Sequence, residues 1–89
     1  MESETLEFRG INISHLKQYF IELGGQPSKE NDNRFIGDGW YGEILSEGEV
    51  MFTPVFKVNT VIILFTAENK DDLKSLLKNY RYKTTRVGG

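Results

Sequence analysis

Residue types that commonly catalyse reactions are scarce in this 89-residue sequence. It contains no cysteine and one histidine, His15, which excludes thiol catalysis, thiolate metal sites and multi-histidine zinc sites. No G-x-S-x-G pattern supplies a serine for His15 to activate, and no Walker or G-x-G-x-x-G pattern supplies a phosphate-binding loop. His15 is therefore predicted to be a surface residue in the first turn of a helix.

Carboxylates are the remaining candidates for acid–base chemistry. Glu43, Glu47 and Glu49 cluster around one predicted hairpin, and Asp71 and Asp72 begin a predicted helix. A catalytic carboxyl group needs burial to raise its pKa towards neutrality, whereas turns and helix starts are usually solvated. The sequence therefore predicts a protein that is not an enzyme, with no catalytic residue, no metal ligand and no cofactor.

The most specific chemical feature is Gly88-Gly89, which follows the polar segment 83–87. Carrier proteins of the ubiquitin-like and sulfur-carrier type end in Gly-Gly, because an activating enzyme must adenylate the terminal carboxylate inside a narrow site. Only an extended tail without Cβ atoms passes easily into such a site. Gly88 and Gly89 are therefore candidate carrier-tail residues. Ubiquitin-like folds, however, open with two strands, and this chain has one predicted strand before its first helix.

Composition predicts one domain over residues 1–89, since 38% hydrophobic and 12% aromatic residues suit a single small core. No apolar run approaches the ~20 residues that span a bilayer. The acidic start lacks a signal peptide, and the absence of cysteine predicts a reducing cytoplasm. Residues 70–89 hold six basic and two acidic side chains. This basic segment is predicted to be a solvated helix face, and nucleic-acid binding is disfavoured.

Two amphipathic helices position the core. Apolar residues at i, i+3, i+4 and i+7 predict the first helix over 13–23, after Asn12 as N-cap and before Gly24-Gly25 as a left-handed stop. The same spacing predicts a second helix that starts after Asn69. Its end is left open: it continues into Tyr82, or the chain turns extended through 83–87, with residues 84–89 as a flexible tail.

Five strands complete the predicted order β-α-β-β-β-β-α. They are expected at 6–9, 34–36, 40–45, 50–56 and 61–66, with turns at 37–39, 46–49 and 58–60. Hairpin-linked strands pair antiparallel, and two amphipathic helices need one sheet face to cover. The predicted fold is therefore an α+β domain, with a curved antiparallel sheet and both helices on one face.

Two apolar residue groups suggest binding functions. Neither of the predicted strands 40–45 and 50–56 has a clean polar face, which predicts an interaction face for a protein partner or a second copy. Its residues are Tyr41, Leu45, Met51 and Val55. A curved sheet held by helices also suggests an apolar pocket for a small molecule. Its predicted lining is Phe20, Trp40, Phe52 and Phe56, although ordinary core packing is the favoured explanation of these four residues.

The element order also resembles the TATA-binding-protein-like architecture. Within that group the chain is similar to the small domain fused behind ubiquitin-like sulfur carriers related to the small subunit of molybdopterin synthase. The resemblance is carried by the opening 6–24, the turn 37–40 and the ending 82–89. It implies an accessory or protein-interaction domain linked to sulfur-carrier and molybdopterin biosynthesis. A carrier activated at its Gly-Gly and a small-molecule-binding domain are the alternatives.

Overall fold

Seven elements of secondary structure follow one another in the described part of the chain. The computed structural model of the protein describes the backbone of residues 1–88 and the side chains of residues 1–51 and 53–85. The elements are β1 (Glu2–Arg9), α1 (Ile13–Glu22), β2 (Gln26–Pro27), β3 (Arg34–Gly37), β4 (Trp40–Thr53), β5 (Phe56–Ala67) and α2 (Lys70–Gly88). The predicted order of strand, helix, four strands and helix is confirmed.

The five strands form one sheet in the order β1-β5-β4-β3-β2. Every neighbouring pair is antiparallel, as hairpin-linked strands should be. The α+β class and the antiparallel sheet are therefore confirmed.

Both helices cover the same face of this sheet. Along β5 the side chains of Val61, Ile63 and Phe65 are fully buried, whereas the alternate residues Ile62 and Leu64 are only half-buried. The buried face belongs to a single core that includes residues of both helices. The helical members of that core are Leu16, Tyr19 and Phe20 from α1 and Leu73, Leu76 and Tyr80 from α2. The other side of the sheet, called here the open face, has no helix over it in the described residues.

Local signals set the ends of α1 as the sequence predicts. The side-chain oxygen of Asn12 accepts a hydrogen bond from the backbone N–H of Ser14 at 2.8 Å, which satisfies an amide that the first helical turn leaves unpaired. Gly24 has a φ of 95°, in the left-handed region that residues with a Cβ rarely adopt. Start and stop of α1 thus need no tertiary contact.

The second helix, α2, begins as predicted. It extends beyond Tyr82, and the segment 83–87 is helical and not extended. The backbone N–H of Asp72 donates to the side chain of Asn69 at 2.9 Å. The helix continues through the segment 83–87 to Gly88, and Lys83 forms an ion pair with Glu22 of α1 at 2.8 Å. Gly89 lies outside the described residues, and a flexible tail over 84–89 stays a prediction.

Strand boundaries between residues 40 and 67 differ from the predicted ones. The turns predicted at 46–49 and 58–60 are wrong, because β4 and β5 pair continuously through both segments. The chain reverses at Pro54-Val55 instead, where the hydroxyl of Thr53 accepts the backbone N–H of Phe56 at 3.0 Å. Proline has no N–H to give to a strand ladder, so a turn suits it better than the predicted strand 50–56.

The strand count agrees only because two errors cancel. The predicted strands 40–45 and 50–56 fall mainly within the single strand β4. Gln26–Pro27, in turn, pairs with Phe35 and Ile36 as the additional short strand β2. That segment was predicted as loop, since two polar residues beside a proline carry no strand signal. β2 is an edge strand, where a proline is tolerated.

Tyr80 of α2 lies fully buried at the centre of the core. Its hydroxyl donates a hydrogen bond to the backbone oxygen of Leu16 at 2.8 Å. Its ring contacts Phe20, with 4.6 Å between the ring centroids, and Tyr19, with 5.9 Å between centroids. Burial, and secondarily the nearby Tyr19, raises the pKa of the Tyr80 hydroxyl above the ordinary value of 10.0. The folded state therefore holds this proton to higher pH than the unfolded chain.

We expect alkaline conditions to destabilise the fold through Tyr80. The stabilisation is complete below about pH 10 and declines as pH rises beyond it, by up to about 1.4 kcal/mol per pH unit. Urea denaturation at several pH values would measure this slope. Tyr80→Phe should lose about 1 kcal/mol at neutral pH with its hydrogen bond and show a shallower alkaline decline. An identical decline in both proteins would contradict the assignment.

Candidate functional site

The β4–β5 hairpin extends beyond the strands that flank it. The pairing of β3 with β4 stops at Arg34 and Glu43, and the β1–β5 register stops at Arg9 and Thr60. Residues 49–58, called here the arm, therefore form a two-stranded ribbon without a further strand on either side in the described part of the chain. The long dimension of the molecule is 43 Å, against 28 Å and 21 Å for the others.

The arm exposes large apolar side chains. Met51 is 60% exposed, Val55 93% and Phe56 57%. Isolated two-stranded ribbons are marginally stable in water. Because the arm projects from the sheet, its apolar side chains bury little of their surface against the rest of the chain. Such a cluster is typical of a surface that contacts another molecule.

The predicted interaction face divides into separate parts in the structure. Tyr41 is half-buried on the open face, where the Arg34 guanidinium lies 4.4 Å from its ring centroid. Met51 is ten residues further along β4, roughly 33 Å at about 3.3 Å per residue. Leu45 lies between them at a β-bulge, 49% exposed. Val55 lies at the turn beyond Met51. One continuous face is thus not formed, and Met51 and Val55 belong to the arm.

The β-bulge is the physical reason for this division. The pairing shifts by one residue between Ile44 and Ser46, and a shift of one residue exchanges the two faces of a strand. Tyr41 pairs with Thr66 on the open face, whereas Met51 pairs with Lys57, on the side of β5 that carries Val61. Tyr41 and Met51, predicted to lie on two separate strands, thus lie on one strand with this bulge between them.

The predicted pocket residues are also not all together. Phe20 is fully buried and packs between Phe35, at 5.3 Å between ring centroids, and Trp40, at 5.9 Å. Phe56 begins β5, whereas Trp40 pairs with Ala67 at the other end of that strand. Eleven residues of strand separate these positions by roughly 36 Å. The side chain of Phe52 lies outside the described residues.

A cleft of about 220 Å³ does occur beside Trp40, between α2 and the turn that follows β3. Its walls are formed by Leu23, Asp38, Gly39, Trp40, Asp72, Ser75, Leu76 and Asn79. His15 is exposed in the first turn of α1 and does not contribute to it. Within the described residues, no three histidine, cysteine or acidic side chains gather as a metal site would require.

The class of protein is thus a small α+β domain with one helix-covered sheet face, one open face and a projecting apolar arm. The chain matches the family described as "Archaeal MoaD-like protein" over residues 4–89. Since the match covers nearly the whole chain, the protein belongs to this family, which relates it to the small subunit of molybdopterin synthase. No curated protein and no solved structure matched the chain.

Family membership links the chain to sulfur-carrier and molybdopterin biosynthesis proteins. The relationship predicted from the opening, the turn and the ending of the sequence is confirmed at this level. In the described part of the chain, no helix has the length and apolar character needed to cross a membrane.

Proposed function

We propose that this protein is a non-catalytic, cytoplasmic protein-binding domain that works with sulfur-carrier or molybdopterin-synthesis proteins. The observation that carries the proposal is the arm, with Met51, Val55 and Phe56 exposed at its tip. Family membership supports the choice of partners. The element order and the single helix-covered face further support a TATA-binding-protein-like arrangement.

Binding through the arm has a clear driving force. Burying an apolar side chain stabilises a complex in proportion to the apolar area removed from water, about 25 cal/mol per Å². A few large side chains near the centre of an interface usually supply most of the binding energy. Val55 at 93% exposure can lose almost all its contact with water when a partner closes over the tip.

The test measures binding to purified archaeal molybdopterin synthase large subunit and to a sulfur-carrier activating enzyme. Val55→Asp should weaken binding about tenfold or more, since a charge at the centre of an apolar contact is costly. Ile21→Asp is the matched control, because Ile21 is 44% exposed on α1, away from the arm. Both variants should keep the melting temperature of the unmodified protein to within a few degrees.

Two results would contradict the proposal. Equal loss of affinity in Val55→Asp and Ile21→Asp would remove the arm as the binding site. Failure of the unmodified protein to bind either partner, together with a monomeric mass by size-exclusion chromatography with light scattering, would remove both the partner and the self-association forms of the proposal.

A carrier function at Gly88-Gly89 is the second candidate, and the family match supports it because it extends through both glycines. It requires Gly89 to be the terminal residue of the mature protein and α2 to unwind at its end, since the described helix includes Gly88. Incubation with ATP and an activating enzyme should then give a C-terminal adenylate, with release of pyrophosphate, in the mass spectrum. When a sulfide donor is added as well, sulfur should displace AMP and give a C-terminal thiocarboxylate. A protein lacking residues 88–89 is the control, and an unchanged mass of the full chain would exclude this candidate.

A further inference from the structure

A second surface, distinct from the arm, lies between α2 and the outer strand β1. A shallow groove of about 530 Å³ is lined by Lys74, Leu77, Lys78 and Arg81 of α2 and by Glu4 of β1. No residue of β5 contributes to it, although β5 is the neighbour of β1. The groove therefore lies at the outer margin of the sheet and not over its middle.

The groove carries an excess of positive charge. Its three cations follow one side of α2 at spacings of four and three residues, and all three are exposed. None forms an ion pair with another described side chain, and neither does Glu4. Three unpaired cations thus face one unpaired carboxylate around the half-buried Leu77.

The strand beside the groove has a free hydrogen-bonding edge. The backbone N–H of Gly10 donates to the backbone oxygen of Asn59 at 2.9 Å. Gly10 and Asn59 are therefore a hydrogen-bonded pair that continues the β1–β5 ladder. Such pairs alternate along an antiparallel ladder, and the backbone groups of Thr5 and Glu7 therefore point away from β5. Because β1 is the first strand of the sheet, these groups have no strand partner in the described residues.

We propose that this edge binds an extended acidic segment of a partner protein, which adds to β1 as a sixth strand. Its backbone would pair with the outward groups of Thr5 and Glu7, which is a recurring mode of peptide recognition. Its acidic side chains would face α2 and meet the three cations.

The spacing of the charges suits a strand. Alternate residues of a strand lie about 6.8 Å apart and share one face. The step from Lys74 to Lys78 rises about 6 Å along a helix. An acidic residue at every second position therefore presents its carboxylates at nearly the spacing of Lys74 and Lys78. An extended segment is required because only a strand can also pair with the free backbone edge of β1.

The test uses a synthetic eight-residue peptide, matching the eight residues of β1, with glutamate alternating with threonine. A peptide of the same composition, with its glutamates grouped at one end, is the control ligand. We expect the alternating peptide to bind about tenfold more tightly, with affinity that falls as salt is added. Single-stranded RNA of equal charge should bind more weakly than the alternating peptide.

Four variants separate the two parts of the site. Lys78→Glu should weaken binding of the alternating peptide about tenfold, while Lys29→Glu, the same charge change in the exposed loop after β2, should not. Glu4→Gln should strengthen binding, because it removes the one carboxylate in the groove. Thr5→Pro should weaken binding by deleting an outward N–H without touching the ladder to β5, and edge strands tolerate proline.

Thr5→Val controls for the side chain at the same position and should bind normally. A gain in affinity for Glu4→Gln cannot come from unfolding, which keeps the test informative if another variant is unstable. The proposal is overturned if the two peptides bind equally, if RNA binds more tightly than the alternating peptide, or if Thr5→Pro binds as Thr5→Val does. Arm variants such as Val55→Asp should leave peptide binding unchanged, so this proposal and the proposed function fail independently.

Discussion

Replacing Phe20 by alanine is expected to destabilise the protein by about 3–5 kcal/mol, the usual effect of removing a buried aromatic side chain. Phe20 is fully buried and contacts both the sheet and α2 from its position on α1. Its ring lies 5.7 Å from that of Phe65 on the sheet and 4.6 Å from that of Tyr80 on α2, measured between centroids. Small domains have about 5–15 kcal/mol of stability in total, so this loss alone should bring the fold close to unfolding.

Urea denaturation monitored by circular dichroism would measure the change for Phe20→Ala. Ile21→Ala is the matched control: Ile21 is the next residue of α1, is 44% exposed, and should cost well under 1 kcal/mol of packing. Equal destabilisation by the two variants would mean that α1 does not seat Phe20 in the core.

Replacing Gly42 by alanine is expected to cost about 1–3 kcal/mol, the range observed for overpacked cores. A Cβ at this position of β4 would lie 2.3 Å from Cε1 of Phe20, far inside van der Waals contact. The Phe20 ring has little room to give way, because Phe35 stacks on it with an interplanar angle of 14°. Gly42 does not have a φ in the left-handed region, so backbone conformation does not require a glycine here. The close approach of the Phe20 ring does.

Gly48→Ala is the control, because the nearest atom to a Cβ there is the Thr60 hydroxyl at 3.5 Å, an ordinary contact. It should leave stability unchanged or raise it slightly, since alanine restricts the unfolded chain more than glycine does. A sharper test combines Gly42→Ala with Phe20→Ala. With the ring removed, the added methyl group should cost almost nothing, a coupling typical of residues in direct contact. Additive losses would contradict the packing argument.

The sequence predicts several parts of the fold well because their signals are local. Asn12 and Gly24 bound α1, Asn69 starts α2, and each acts within one helical turn. The turn after β3 is equally local, with Gly39 at a φ of 78°. The apolar run 61–65 predicts the inner strand β5, since a strand covered by helices on one side and flanked by two strands buries most of its residues.

The candidate site was only partly predictable. The strands without a clean polar face predict apolar groups at the surface, and the side chains of Met51 and Val55 are exposed in the structure. Their location on a projecting arm depends on where the flanking strands stop, at Arg34 and Arg9, which no local pattern encodes. The groove beside β1 is not predictable from the sequence for a similar reason. The basic residues of α2 are evident in the sequence, but the strand edge next to them is not.

The amino-acid pattern by itself thus determined which segments become helices, where they begin, and that both bury one stripe against an antiparallel sheet. Only the tertiary structure decided the continuity of β4 through Gly48, the bulge that places Tyr41 and Met51 on different faces, and the outer position of β1. The physical reason is that caps and periodicity act through neighbours in sequence. Strand register and strand edges depend on hydrogen bonds between segments far apart in the chain.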